Sequence, residues 1–198
     1  MSKDPSSPSP LTTAIPSRAG FNLIELTTPS GLRIELLPSG AVFAVRHGST
    51  QINQVLPGPA EDGLLRVFVR WQTSSGWLGA PVVSSLSAFA PIDRQTAAWR
   101  SSPLDGLEVT TTLRLCDDGS GWSWRIQVVN TALVARVIDV IVVQDLGLAD
   151  EAAVRNSEAY TSQYIDLLPV RDATWGWTVL ARQNRAMTGG RFPWLGLA

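Results

Sequence analysis

Hydrophobic and polar positions alternate with a period of two along much of the chain. Leu107, Val109, Thr111, Leu113 and Leu115 share one face of an extended segment, and Trp122, Trp124, Ile126 and Val128 share one face of the next. Such alternation predicts half-buried strands. Asp117-Asp118-Gly119-Ser120-Gly121 lies between them and supplies turn chemistry, so the pair reads as a hairpin. Nearer the N-terminus, Leu32, Ile34 and Leu36 alternate with Arg33 and Glu35, between the turn triplets Pro29-Ser30-Gly31 and Pro38-Ser39-Gly40. With strands expected over 22–28 and 41–47, this region reads as a three-stranded meander. Leu65, Val67, Val69 and Trp71 alternate with Arg66 and Arg70, and Ser74-Ser75-Gly76 ends that strand. A last strand is expected over 174–182.

Two segments depart from this rhythm. Residues 136–144 hold the nearly unbroken apolar run Val137-Ile138-Asp139-Val140-Ile141-Val142-Val143. That pattern predicts a central strand covered on both faces, and its β-branched content disfavours a helix. Residues 149–159 read as the one helix, with Asp150 and Glu151 suited to its first turn. The sum is an all-β fold of short antiparallel strands, a sandwich or supersandwich with one short helix. Pro5, Pro8, Pro10 and Pro16 among serines mark 1–19 as a disordered leader, leaving 20–198 as a single domain. The end, Gly189-Gly190-Arg191-Phe192-Pro193-Trp194-Leu195, reads as a loop entering something further. Trp194 calls for burial, so truncation before another domain is expected, with an exposed apolar patch near Trp194 and the last strand.

Composition narrows the function. Only 17% of residues are charged, against about 25% in ordinary domains. The net charge is −1, and no basic run exists to draw nucleic acid or an anionic membrane. Lys3 is the sole lysine among 16 basic residues, which reads as compositional bias. No signal-peptide core or membrane-spanning run is present, and the single Cys116 permits no internal disulfide, so the expected location is the cytoplasm. Cys116, at a strand end, is expected to pack as a small hydrophobe.

Catalytic signatures are missing. No phosphate loop, dinucleotide fingerprint or nucleophile elbow occurs, and the single His47 excludes sites needing two histidines. His47 itself reads as a surface turn residue. Asp145, Asp150, Glu151, Glu158 and Asp166 cluster in sequence and read as the acidic flanks of a solvated helix, not as a glycosidase pair. No catalytic residue, metal ligand or cofactor is assigned. Eight tryptophans are many for 198 residues. Indoles stack on the C–H faces of sugar rings, but Trp122 with Trp124, and Trp175 with Trp177, have the same-face spacing of core packing.

Several motifs resemble one family. Phe21-Asn22-Leu23-Ile24-Glu25-Leu26, Ser30-Gly31-Leu32-Arg33-Ile34, Gln144-Asp145-Leu146-Gly147-Leu148 and Glu158-Ala159-Tyr160-Thr161-Ser162-Gln163-Tyr164-Ile165-Asp166 occur in the order seen in N-terminal domains of cellobiose-phosphorylase-type enzymes. Ala181-Arg182-Gln183-Asn184 and the 189–195 segment complete the set. The resemblance is to glycoside hydrolase family 94, especially its β-1,2-oligoglucan phosphorylase and cyclic β-1,2-glucan synthase branch. It implies a galactose mutarotase-like β-supersandwich that is non-catalytic, because that family's general acid and phosphate site lie in a separate (α/α)6 barrel. It also implies a β-glucan or oligosaccharide as ligand, the helical barrel as partner, and a homodimer contact. Tyr160, Gln163, Tyr164, Asp166, Arg182, Gln183 and Asn184 are the candidate cleft-facing residues. The rival readings are a free-standing carbohydrate-binding module, an aldose epimerase on the same fold, which ordinarily uses His and Glu, and a degenerate gene fragment.

Overall fold

The computed structural model describes residues 15–16, 22–117, 119–187 and 189–198, so the expected leader lies largely outside the described residues. The meander forms as expected. A six-stranded antiparallel sheet runs β1-β2-β3-β4-β5-β13, built from β1 (Ile15–Pro16), β2 (Asn22–Thr27), β3 (Leu32–Leu36), β4 (Val42–His47), β5 (Thr50–Gln51) and β13 (Ala149–Asp150). A three-stranded sheet places β6 (Arg66–Thr73) between β7 (Gly76–Pro81) and β12 (Ile138–Val143). A four-stranded sheet runs β11-β10-β9-β8, from β8 (Ala88–Pro91), β9 (Thr96–Arg100), β10 (Leu107–Leu115) and β11 (Trp122–Asn130). The last sheet sets β15 (Gly176–Gln183) between β14 (Ile165–Asp172) and β16 (Trp194–Leu197). The all-β antiparallel class read from the alternation is the class observed.

One core joins all four sheets. Leu26, Ile34 and Val45 of the first sheet, Val67 and Val69 of β6, Trp99, Leu113 and Leu115 of the third, and Ala181 of β15 pack into a single buried cluster. The inward rows are the alternating positions of the sequence, as a pleated strand requires. Trp99 is sealed, and its indole Nε1 donates to the carbonyl oxygen of Gly40 at 3.0 Å. A charge network centred on a buried pair braces the first sheet: the Arg46 guanidinium pairs with Glu35, which also receives the more exposed Arg33 at 3.1 Å, and Arg46 reaches Glu151 at 3.6 Å.

Several expectations are corrected. The apolar run around Val140 is not a central strand: β12 lies at the end of its sheet, and its valines and isoleucines are exposed. Its hydrophobicity predicts cover on both faces, and the described residues supply that cover on neither. The single expected helix is two short ones, α1 (Glu151–Asn156) and α2 (Glu158–Ser162), separated at Ser157 by a non-helical φ of −160°. Trp175 and Trp177 do not pack in the core: Trp175 sits in the β14–β15 turn, Trp177 on the strand, and both are exposed. Cys116 is likewise exposed. Trp122 and Trp124 do pack against the core.

The strand β14 has no counterpart in the alternation reading, because Leu167-Leu168-Pro169 breaks the period. Pro169 is tolerated by geometry. Asn184 N donates to Tyr164 O at 2.7 Å, which fixes alternate residues as the hydrogen-bonded pairs of this ladder. Pro169, opposite Val179, falls in a non-bonded pair on an edge strand, where no N–H is required.

Candidate functional site

The register of the last sheet brings three polar candidates together. Asp166 stands opposite Arg182, and Arg182 opposite Trp194. Directly paired residues share a sheet face, so the carboxylate, the guanidinium and the indole project from one surface. Asn184, two residues beyond Arg182, joins them: its Nδ2 donates to Asp166 Oδ2, while its Oδ1 accepts from Arg182 at 3.0 Å. Arg182 also lies 3.7 Å from Asp166. Trp194 is 74% exposed beside this cluster. Leu168 and Leu180, exposed and mutually paired, extend the same face.

Tyr160 and Tyr164 form a second exposed cluster. Their rings meet edge to face at 5.0 Å, and the Arg185 guanidinium lies 4.9 Å above Tyr160. A side-chain hydrogen bond with Tyr160, and then repulsion from Tyr160 when it is ionised, raises the pKa of Tyr164. Gln163 is exposed at the end of α2.

Gln183 behaves differently. It points to the opposite face of β15 and is fully buried. Its Nε2 donates to Gly147 O at 3.2 Å and Thr161 O at 3.1 Å, and its Oε1 accepts from Arg185 N at 3.2 Å. These bonds tie the last sheet to the helical segment, and they leave no approach for a ligand from solvent.

A shallow groove of about 300 Å³ adjoins the Trp194 side of the sheet, lined by His47, Ser120, Arg191, Phe192 and Trp194 among others. His47 ends β4, and its Nε2 stands 3.1 Å from Ser30 O and 3.0 Å from Ser120 Oγ. These contacts place the His47 ring at the strand end, beside the turn, as one wall of the groove. Arg191 donates to Ser49 Oγ at 2.7 Å and lies 3.8 Å from Asp150. Sequence reasoning placed none of the groove residues in a site. The signal available was the 189–195 segment, which puts Arg191, Phe192 and Trp194 within four residues.

Asp145, Glu151 and Asp166, grouped in sequence, are engaged by separate partners. Asp145 accepts from Gln54 N at 2.8 Å and Val55 N at 2.7 Å, Glu151 binds Arg155 at 2.9 Å, and Asp166 belongs to the Arg182 cluster. Burial raises the Asp145 pKa despite its two N–H donors. Among the described residues, no group of three or more His, Cys, Asp or Glu is placed to hold a metal, and no helix is long and apolar enough to cross a membrane.

Residues 35–198 match the family model described as the SOGP N-terminal domain. The chain belongs to this family. The match begins within β3 and runs through both clusters and the groove. The 1,2-beta-oligoglucan phosphorylase of Listeria innocua is 31% identical over 163 residues, which cover 79% of this chain but 13% of that enzyme. The chain thus spans a small part of the length of the curated relative it matches. The resemblance read from the motifs to the N-terminal domain of such phosphorylases holds.

Proposed function

We propose that this chain is the non-catalytic, carbohydrate-handling N-terminal module of a glycoside phosphorylase or glucan synthase acting on β-glucans. The observation that carries the reading is the single sheet face presenting an exposed Trp194 beside the linked side chains of Asp166, Arg182 and Asn184. An indole offers a flat platform for the C–H face of a glucosyl ring, and the polar cluster offers donors and acceptors for its hydroxyls. Tyr164, whose carbonyl oxygen accepts from Asn184 N, and Tyr160, whose ring meets that of Tyr164, are proposed with Gln163 as further sugar contacts. Catalysis is assigned to a helical barrel elsewhere in the full-length enzyme, in keeping with dispersed carboxylates and a His47 bound to Ser30 and Ser120. A cytoplasmic setting and a homodimer complete the proposal.

The openness of the Trp194 face also favours a second reading, a free-standing carbohydrate-binding module. Both readings require saccharide binding, so calorimetry with linear β-1,2-linked gluco-oligosaccharides comes first. Binding that weakens roughly tenfold or more in Trp194→Ala supports the proposed face. Equal affinity in the variant refutes it. Phosphorolysis that requires this chain in the longer enzyme separates the module from the free-standing binder.

A further inference from the structure

The β12-β6-β7 sheet has two outer edges, and they are built differently. β7 carries Gly76, Gly79 and Pro81, residues that blunt an edge against pairing. β12 carries Ile138, Asp139, Val140, Ile141, Val142 and Val143, with neither glycine nor proline. Its one charge is neutralised within the sheet, since Asp139 Oδ2 lies 2.5 Å from Arg70. An apolar, β-branched edge strand without a blunting device is an invitation to pairing.

Register sharpens the point. Ile138, Val140 and Val142 stand opposite Trp71, Val69 and Val67, so the two rows face the same way. The β6 row is sealed, with Val67 and Val69 at 0% exposure, while Ile138, Val140 and Val142 are 37%, 43% and 48% exposed. The core layer stops between adjacent strands. The edge strand of the neighbouring sheet, β11, differs, because its inward Trp122 and Trp124 are half-buried against the core.

The backbone is poised in the same direction. Gln72 N donates to Val137 O at 3.0 Å, placing Val137 in a hydrogen-bonded pair. Antiparallel ladders alternate, so Asp139, Ile141 and Val143 bond inward to β6. The N–H and C=O groups of Ile138, Val140 and Val142 therefore aim away from β6, and no described strand meets them.

We propose that the free edge of β12 is completed by a β-strand from the polypeptide that such a phosphorylase carries outside this domain. This rests on the reading of the chain as one module of a longer enzyme, of which the Listeria relative has most of its length beyond the match. The added strand pairs by main-chain bonds and sets alternate apolar side chains beside Ile138, Val140 and Val142, extending the core layer.

The test uses the isolated chain and overlapping synthetic peptides covering the Listeria innocua enzyme outside the matched stretch. Amide hydrogen exchange is read at Ile138, Val140 and Val142. These amides exchange rapidly in the isolated chain, and one peptide region slows them at least tenfold. Val140→Pro removes an outward donor without breaking the β6 ladder, and it abolishes that protection, as does Val142→Pro should the first variant fail to fold. No protecting peptide, or protection undiminished in a folded proline variant, overturns the proposal. Protection of the same amides in a dimer of the isolated chain overturns it too, by assigning the edge to a second copy. Glycan binding at Trp194 is a separate readout, so either proposal can fail alone.

Discussion

The indole Nε1 of Trp99 donates to the carbonyl oxygen of Gly40 across 59 residues of sequence, locking the third sheet to the β3–β4 turn. Gly40 has φ +86°, and a Cβ there would stand 2.7 Å from both Trp99 Nε1 and Phe89 Cγ. Gly40→Ala therefore combines left-handed backbone strain with a clash into packed rings. The expected loss is about 2–5 kcal/mol, read by urea denaturation. Wild-type stability in this variant would show that the turn can move freely, contrary to the packing described.

The family resemblance implies a cleft-facing Gln183 beside Arg182 and Asn184, yet the residue is fully buried and serves the interior. Gln183→Leu keeps roughly the volume and strands the carbonyls of Gly147 and Thr161 and the N–H of Arg185. Each buried orphan costs about 1–3 kcal/mol, so the variant melts well below wild type. Residual folded protein keeps its saccharide affinity. Lost affinity at full stability would return Gln183 to the cleft.

Asp145 makes stability depend on pH with an unusual sign. Burial holds its folded pKa above the ordinary 3.8, so the folded state binds its proton more tightly than the unfolded state. Its effect on stability is most favourable below 3.8 and is lost as pH rises through the raised folded value. Asp145→Asn, whose Oδ1 can still accept from Gln54 and Val55, removes this dependence. Denaturation midpoints from pH 3 to 7, compared with wild type, report the difference in slope. Parallel profiles contradict the assignment.

Where strand polarity alternates, the sequence was sufficient. Leu107 to Leu115 and Trp122 to Asn130 pair as the turn chemistry between them demands. The alternation identifies a face but not what covers it, which is why β12 was misplaced. Its composition describes a covered strand, and the cover is not among the described residues. Trp175 and Trp177 misled for a related reason: spacing by two implies a shared face only if both residues are in one strand, and the turn ending at Gly176, with φ +75°, separates them. The polar cluster was half legible. The motif segments supplied Asp166, Arg182 and Asn184, but their union with Trp194 depends on a ladder between β15 and β16 that only the register reveals.

The most direct test of the account places the chain with a linear β-1,2-linked gluco-oligosaccharide and inorganic phosphate in one sample and follows it by saturation-transfer NMR. The predicted spectrum shows transfer from protein aromatic protons to the sugar C–H protons, lost in Trp194→Ala, with no sugar 1-phosphate signal accumulating. A spectrum without transfer, or one in which the chain alone generates sugar phosphate, contradicts a non-catalytic, sugar-handling module.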